Sequence, residues 1–211
     1  GGRVTATGAS NAGAGIGTGE TESVSGSVTI NGGTVTATGG KWASGIGSGG
    51  GGGTVTVTIN GGTVTAVGGE EADGIGVGLR GWPVNITING GEITATGGAG
   101  KAGIGGDLSF GRNPVVKAGA DKDSATDVET DTYKADHQNY HYVHLNHPVI
   151  LTEIEITTAP AKTVYTAGES FDATGMVVTA TYSDDKSGVA KIQYSLDGTE
   201  WSDYGSGVEM T

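Results

Sequence analysis

Three acidic residues in the N-terminal half of the chain, Glu70, Glu71 and Asp73, are close enough in sequence to resemble a catalytic cluster. Enzymes that cleave polysaccharides need two carboxyl groups, or a carboxyl and a basic group, converging on one bond. No partner group repeats beside these acids, and the strand positions around them are almost all threonine. We therefore predict no catalytic residue and no enzymatic activity.

A second group of acids lies further along the chain and has the oxygen ligands that calcium prefers. Its spacing lacks the central glycine and the final glutamate of an EF-hand loop. A solvated acidic loop explains the pattern better, and a calcium site stays open as the alternative. The five acids are Asp121, Asp123, Asp127, Glu129 and Asp131.

The four histidines of the chain follow closely, at His137, His141, His144 and His147. A zinc site needs three or four converging imidazoles. If residues 140–145 form a strand, the side chains of His141 and His144 point to opposite faces. We therefore predict scattered strand and turn histidines, with no metal site and no cofactor.

Two tryptophans and a set of threonines are the candidate binding residues. Trp42 and Trp82 lie in variable loops between strands, where exposed aromatic rings stack on sugars or anchor the local packing. Thr36, Thr65 and Thr94 recur at equivalent positions and would form a grid of hydroxyl and methyl groups. Such a grid is either a binding face or a plain solvated β-surface, since threonine favours strands for its branching alone.

These candidates are positioned by a repeat. The segments 30–40, 59–69 and 88–98 align without gaps at a spacing of 29 residues. A Gly-Ile-Gly element follows each copy and also occurs once before them, with its isoleucines at Ile16, Ile46, Ile75 and Ile104. A fixed period in this range is typical of a solenoid.

Within each copy the pattern alternates with a period of two residues, as in Thr34–Thr38, which predicts strands and not helices. The Asn-Gly-Gly that precedes this strand is a turn signal. A hairpin array is the rival interpretation, but the constant repeat length and the third element favour stacked coils. Stacking would bring Asn31, Asn60 and Asn89 into an amide ladder, or leave them as three solvated turn residues.

Composition divides the chain into three parts. Residues 1–106 hold 35 of the 43 glycines and are predicted to form a right-handed parallel β-helix. Residues 107–150 break the period and are predicted to be the C-terminal cap that a solenoid needs. Residues 151–211 have the composition of an all-β sandwich, with a hairpin over 192–201 and an Asp-Gly turn. About 60 residues is short for a sandwich of about 100, so we expect this module to be incomplete.

The charge of the chain excludes several partners. The formal net charge is −12, and no basic patch is present, which argues against nucleic acid and anionic membrane surfaces. No apolar run approaches the ~18–20 residues of a membrane helix. The chain starts within a repeat and shows no signal peptide, so we expect it to be an internal part of a longer protein.

Two resemblances follow from these motifs. Part of the C-terminal sequence resembles a bacterial immunoglobulin-like domain. The segments that carry the resemblance are Lys162–Tyr165, Gly168–Asp172 and Gly175–Tyr182. The Gly-Gly-Thr-Val-Thr-Ala-Thr-Gly repeats resemble those of large bacterial surface proteins. The resemblance implies a modular protein that is secreted or associated with the cell surface or wall, and it identifies no binding residue.

Four functions agree with this pattern. A non-catalytic stalk or display scaffold is the first, and an adhesin for polysaccharide or host-surface glycans is the alternative. Two remote alternatives are a polysaccharide-cleaving β-helix enzyme and an ice-binding protein, the latter because of the regular threonine face.

Overall fold

The computed structural model describes residues 1–9, 11–20 and 24–182, together with the backbone of four short strands between residues 187 and 209. The chain forms two compact units, Gly1–Pro148 and Val149–Thr211. In the described residues, the regular structure of both units is almost entirely β-strand. The single α-helix of the described part has seven residues, and no described helix is long and apolar enough to cross a membrane.

Four successive coils build most of the first unit and amount to about three full turns of a parallel β-solenoid. Coil 1 contributes two strands, coils 2 and 3 three strands each, and coil 4 two strands and a bridge at Ile104. The strands are β1 (Arg3–Thr7) and β2 (Ile16–Gly17) in coil 1, β3 (Gly26–Ile30), β4 (Thr34–Thr38) and β5 (Ile46–Gly47) in coil 2, β6 (Val55–Ile59), β7 (Thr63–Val67) and β8 (Ile75–Gly76) in coil 3, and β9 (Val84–Ile88) and β10 (Glu92–Thr96) in coil 4.

Equivalent strands of neighbouring coils pair in parallel and in register. Val35 pairs with Val64, and Val64 with Ile93, so one apolar column runs through the interior. The isoleucines of the Gly-Ile-Gly element pair in the same way from Ile16 to Ile104. The predicted stacked coils are confirmed, because an array of antiparallel hairpins would pair these strands in the opposite direction.

The interior is narrow and apolar. Valine, isoleucine and alanine side chains of three sheets meet there, and most of those in coils 2 to 4 are fully buried. Ile46, Ile75 and Ile104 are 0% exposed. Ile16 is only half-buried and Val4 is 49% exposed, because both belong to coil 1 and are covered on one side only.

The segment after the coils continues two of the sheets. β11 (Asp107–Phe110) pairs in parallel with β9, which places Ser109 beside Thr87 at a separation of 22 residues. The solenoid thus gains one further strand through a shortened coil. The loss of the 29-residue period predicts that this segment belongs to the cap, because the shortened coil no longer fits the period. Gly106, with a φ of 88°, makes the tight turn that replaces the longer loop of the earlier coils.

The rest of this segment folds over the end of coil 4. Its elements are β12 (Val115–Gly119), β13 (Thr126–Val128), α1 (Thr130–Asp136), a 3-10 helix (His137–Asn139) and β14 (Tyr142–Asn146). β14 runs antiparallel between β10 and β12, so the first sheet has the order β1-β4-β7-β10-β14-β12-β13. Tyr133 of α1 is completely buried and packs against Phe110, His137 and Tyr140.

The described strands of the second unit pair in antiparallel sheets of two or three strands. Its strands are β15 (Leu151–Thr158), β16 (Ser170–Phe171), β17 (Val177–Tyr182), β18 (Ser187–Val189), β19 (Gln193–Tyr194), β20 (Ser202–Asp203) and β21 (Val208–Glu209). β17 lies between β15 and β18, β16 pairs with β21, and β19 pairs with β20. The predicted hairpin corresponds to the last pair, with Gln193 opposite Asp203, and its Asp-Gly turn lies outside the described residues.

Tyr165 organises the loop of this unit that carried part of the resemblance. Its hydroxyl group donates to the carbonyl oxygen of Lys162 (2.9 Å) and accepts from the amide of Asp172 (3.0 Å). Its ring also packs against Phe171, with 5.7 Å between the ring centroids. One side chain thus ties together the two ends of the 162–172 loop.

Candidate functional site

The predicted threonine column forms on the outer surface of the first sheet. Thr36, Thr65 and Thr94 pair directly with one another in adjacent coils and alternate with buried residues, so their side chains face outward. The column continues onto β14, where Nδ1 of His144 lies 3.1 Å from Oγ1 of Thr94. It then reaches Lys117 on β12, opposite His144. The hydroxyl grid is therefore limited to the coils and ends at a histidine and a lysine.

The two predicted tryptophans lie in different surroundings. Trp82 is 55% exposed, in the loop between β8 and β9. Trp42 is half-buried, in the loop between β4 and β5, and lines a cleft of about 480 Å³. Glu20, Leu79 and Arg80 line the same cleft, and Gly50 and Gly51 form its floor. Trp82 is not among these lining residues.

The cleft walls come from three neighbouring coils, and main-chain hydrogen bonds fix their positions. The amide of Trp42 donates to the carbonyl oxygen of Asn11 (2.7 Å), and its own carbonyl oxygen accepts from the amide of Leu79 (2.8 Å). The amide of Gly51 donates to the carbonyl oxygen of Leu79 (2.9 Å). The Trp42 backbone is thus held from both neighbouring coils before any ligand arrives.

Arg80 adopts an unusual backbone conformation at the edge of this cleft. In the described part of the chain it is the only non-glycine residue with a positive φ, at 56°. The left-handed conformation costs a residue with a Cβ atom about 1–2 kcal/mol. Gly51, 29 residues earlier in the equivalent loop, has a φ of 80° and avoids this cost. Strain of this kind is concentrated at functional sites.

Lys41 connects the Trp42 ring to the acidic residues of coil 3. Its Nζ lies 6.0 Å from the centroid of the ring, at the outer limit of a cation–π contact. The same ammonium group forms an exposed ion pair of 3.4 Å with Glu70. Exposed ion pairs contribute little to stability. Neither the ion pair nor the cation–π contact therefore holds the Lys41 side chain firmly over the Trp42 ring.

The acids that resembled a catalytic cluster have different surroundings. Glu70 pairs with Lys41 and Glu71 is exposed, whereas Asp73 is buried at 8% exposure. Burial raises the pKa of Asp73, and hydrogen bonds from the amides of Val77 (2.9 Å) and Ala102 (3.2 Å) oppose that shift. The Asp73 carboxylate therefore links main-chain groups of coils 3 and 4.

Comparison with known families agrees with this geometry. A model described as a beta helix repeat matches residues 1–20, 28–50, 57–76 and 86–108, one segment for each coil. A model described as a bacterial Ig-like domain (group 3) matches residues 158–205. The chain joins a β-helix repeat region to a bacterial immunoglobulin-like domain. No curated protein and no solved structure matches it.

The histidines that follow the β-helix repeats attach their segment to coil 4 and do not form a cluster. His141 precedes β14, although the sequence predicted it within the strand, and its Nδ1 lies 3.1 Å from the carbonyl oxygen of Lys101. Nε2 of His137 lies 3.0 Å from the carbonyl oxygen of Gly106. His147 is buried, with Nδ1 at 3.0 Å from the carbonyl oxygen of Gly91.

The acidic loop after the β-helix repeats is organised by its own side chains. The Asp121 carboxylate accepts hydrogen bonds from the amides of Ser124 and Asp123, which lower the pKa of Asp121. Oδ1 of Asp127 lies 3.8 Å from Nζ of Lys117. Among the described residues, no three His, Cys, Asp or Glu side chains are grouped as ligands for a metal ion.

Besides the two glycines of its floor, three residues of the β-helix cleft were missed by sequence reasoning, namely Glu20, Leu79 and Arg80. A signal for Arg80 does exist in the sequence. Alignment of the loops at the 29-residue period places it opposite Gly51 in a run of five glycines. A large charged residue at the place of a glycine distinguishes that loop from the equivalent loop of coil 2.

Proposed function

We propose that this chain is a non-catalytic scaffold of a bacterial surface protein, which holds other parts of that protein at a distance from the cell. The supporting observation is the unbroken register of the solenoid. Val35, Val64 and Ile93 stack directly, and parallel pairing continues from coil to coil in all three sheets. In such a repeat architecture each coil is stabilised by its neighbours, so rigidity extends along the stack.

The state of the acidic residues supports a role without catalysis. Glu70 is engaged by Lys41, and Asp73 accepts two main-chain hydrogen bonds inside the coil. Both carboxyl groups thus already have partners within the folded chain, which is the reason to expect a structural role for them. The presence of a bacterial immunoglobulin-like domain in the same chain also suits an extracellular, modular protein.

Labelling of intact cells tests the proposed location. An antibody against residues 1–148 is applied to the producing bacterium before and after permeabilisation. We expect the same signal in both samples. A signal that arises only after permeabilisation would place the chain inside the cell and contradict the proposal.

An assay for released sugar tests the absence of catalysis. The purified chain is incubated with pectin, glucans and xylan, and reducing ends are measured over time. We expect no release above the blank. Release that disappears in Glu70→Gln, Glu71→Gln or Asp73→Asn would show that the protein is an enzyme.

The threonine face is expected to be structural in this scaffold. Replacement of Thr36 and Thr65 by lysine adds two charges at paired positions of adjacent coils. We expect the double variant to match the parent in glycan-array binding and in thermal hysteresis of freezing. A loss of either property in the variant would assign a binding role to this face.

A further inference from the structure

Three loops of successive coils form the Trp42 cleft, and its floor has no side chains. The loop of coil 2, residues 48–54, contains five consecutive glycines and presents no side chain between Ser48 and Thr54. The corresponding loop of coil 1 carries Glu20, and that of coil 3 carries Leu79 and Arg80. Adjacent coils are about 4.8 Å apart, so the two walls are about 10 Å apart.

An aromatic side chain from a neighbouring loop of coil 2 lines one side of this cleft. The half-buried Trp42 ring lines the cleft together with the glycine floor. A Cβ atom at Gly50 would lie 3.1 Å from Cβ of Trp42, which shows how closely the floor approaches the aromatic residue. Ligand sites of proteins combine such an apolar surface with a few well-placed polar groups.

The Arg80 backbone adds an independent reason to regard the cleft as a binding site. Glycine serves the equivalent position of coil 2 without strain, and Arg80 occupies the same left-handed conformation with φ at 56°. The strained residue is also one of the residues that line the cleft. A guanidinium group presented to a bound ligand accounts for an arginine at a position where glycine is favoured.

The charges of the cleft define the class of ligand. Among the described residues that line the cleft, Glu20 contributes one negative charge and Arg80 one positive charge. A uronic acid would be attracted by Arg80 but repelled by Glu20, and a cationic ligand would be attracted by Glu20 but repelled by Arg80, so the pair favours neither charge. A neutral sugar offers hydroxyl groups that both donate and accept, and it also presents an apolar face to an aromatic ring.

We propose that the Trp42 cleft binds one pyranose unit of a neutral polysaccharide, with the sugar face on Trp42 and its hydroxyl groups hydrogen-bonded to Glu20 and Arg80. This site would add a binding activity to the scaffold and does not depend on the scaffold role. It lies on the loops between strands and leaves the threonine face unoccupied.

Isothermal titration calorimetry of the full chain tests the proposal with defined probes. The neutral probes are the hexasaccharides of cellulose, laminarin, mannan and chitin, and hexagalacturonate is the charged probe. We expect at least one neutral hexasaccharide to bind with a Kd below about 1 mM. Trp42→Ala and Arg80→Gly should each weaken that binding about ten-fold or more, and Glu20→Gln should weaken it less.

Two variants make the result interpretable. Arg80→Gly keeps the backbone conformation, since glycine suits a positive φ, so lost binding in this variant reports the side chain and not unfolding. Trp82→Ala removes the exposed tryptophan outside the cleft and should change the Kd less than about two-fold. The proposal is wrong if no neutral hexasaccharide binds, if hexagalacturonate binds more tightly than all of them, or if Trp82→Ala weakens binding as much as Trp42→Ala.

Discussion

Asn60 of coil 3 stacks on Asn31 of coil 2. Its Nδ2 donates a hydrogen bond to Oδ1 of Asn31, with 2.7 Å between the two atoms. Asn89 binds Asn60 in the same way at 2.7 Å, so the predicted amide ladder is present. All three side chains are nevertheless exposed to solvent. The ladder therefore joins the turns of coils 2 to 4 at a hydrated corner, where water competes for the same groups.

Removal of the central amide should destabilise the solenoid moderately. Asn60→Ala loses two hydrogen bonds and leaves the amides of Asn31 and Asn89 accessible to water. We expect a decrease of about 1 kcal/mol in the free energy of unfolding, and not the larger cost of unsatisfied buried groups. Urea titration measures this change.

Asn31→Ala is the matched control for the ladder, because it removes one hydrogen bond and not two. Its effect should be about half that of Asn60→Ala. Equal effects in the two variants would show that the turn conformation of asparagine, and not the ladder, supplies the stability.

The glycines that follow the stacked isoleucines should tolerate substitution much less well than the asparagines of the ladder. Gly47 has a φ of 134°, and a Cβ atom there would lie 2.2 Å from the carbonyl oxygen of Gly76. Gly47→Ala combines backbone strain with overpacking, so we expect a loss of about 2–4 kcal/mol in the free energy of unfolding.

Gly61→Ala is the control for this glycine, since its Cβ atom would meet only the carbonyl oxygen of Asn31 at an ordinary 3.6 Å. We expect a change within about 0.5 kcal/mol. Thermal unfolding followed by circular dichroism compares the two variants. A small effect of Gly47→Ala would mean that the coils separate easily to admit a methyl group.

His147 should make the stability of the first unit dependent on pH. Its Nδ1 donates to the carbonyl oxygen of Gly91, and its Nε2 is buried with no hydrogen-bond partner among the described residues. Burial, together with the nearby charge of Arg112, lowers the pKa of His147 below its ordinary value of 6.5. The folded protein therefore keeps the imidazole neutral, whereas the unfolded chain takes up a proton near pH 6.5.

The contribution of neutral His147 to the free energy of unfolding is thus complete above about pH 6.5 and is lost as the pH falls below that value. His147→Asn retains a donor for Gly91 and removes the titration. The free energy of unfolding of the parent should fall relative to this variant between pH 7 and pH 5, because the other titrating groups are common to both proteins. Parallel curves over this range would contradict the inferred neutral state.

The period of the sequence predicts the coils well because every stacking contact repeats a local pattern. Val35, Val64 and Ile93 occupy one position of the repeat, so the alignment alone places them in one column. β14 could not be placed this way. It belongs to the irregular segment, and its position between β10 and β12 depends on long-range pairing that no local pattern encodes.

The cleft illustrates the same limit for the candidate site. Trp42 was identified from its residue type, but its partners lie in loops whose sequences differ between coils, and only the stacked structure brings Glu20 and Arg80 to it. Trp82 had the same residue type and an equally variable loop, yet it lies outside the cleft. Residue type selects candidates, and coil stacking decides which of them meet.

Arg80→Gly should stabilise the protein while Arg80→Ala does not. Relief of the left-handed conformation gains about 1–2 kcal/mol, and the greater freedom of glycine in the unfolded chain costs about 0.5–1 kcal/mol. We therefore expect a net increase of about 0.5–1 kcal/mol in the free energy of unfolding, measured by urea titration. Arg80→Ala removes the same guanidinium group but keeps a Cβ atom at a φ of 56°, so it should show no gain. If the alanine variant is stabilised as much as the glycine variant, the cost lies in the arginine side chain, and the argument that backbone strain is retained for binding fails.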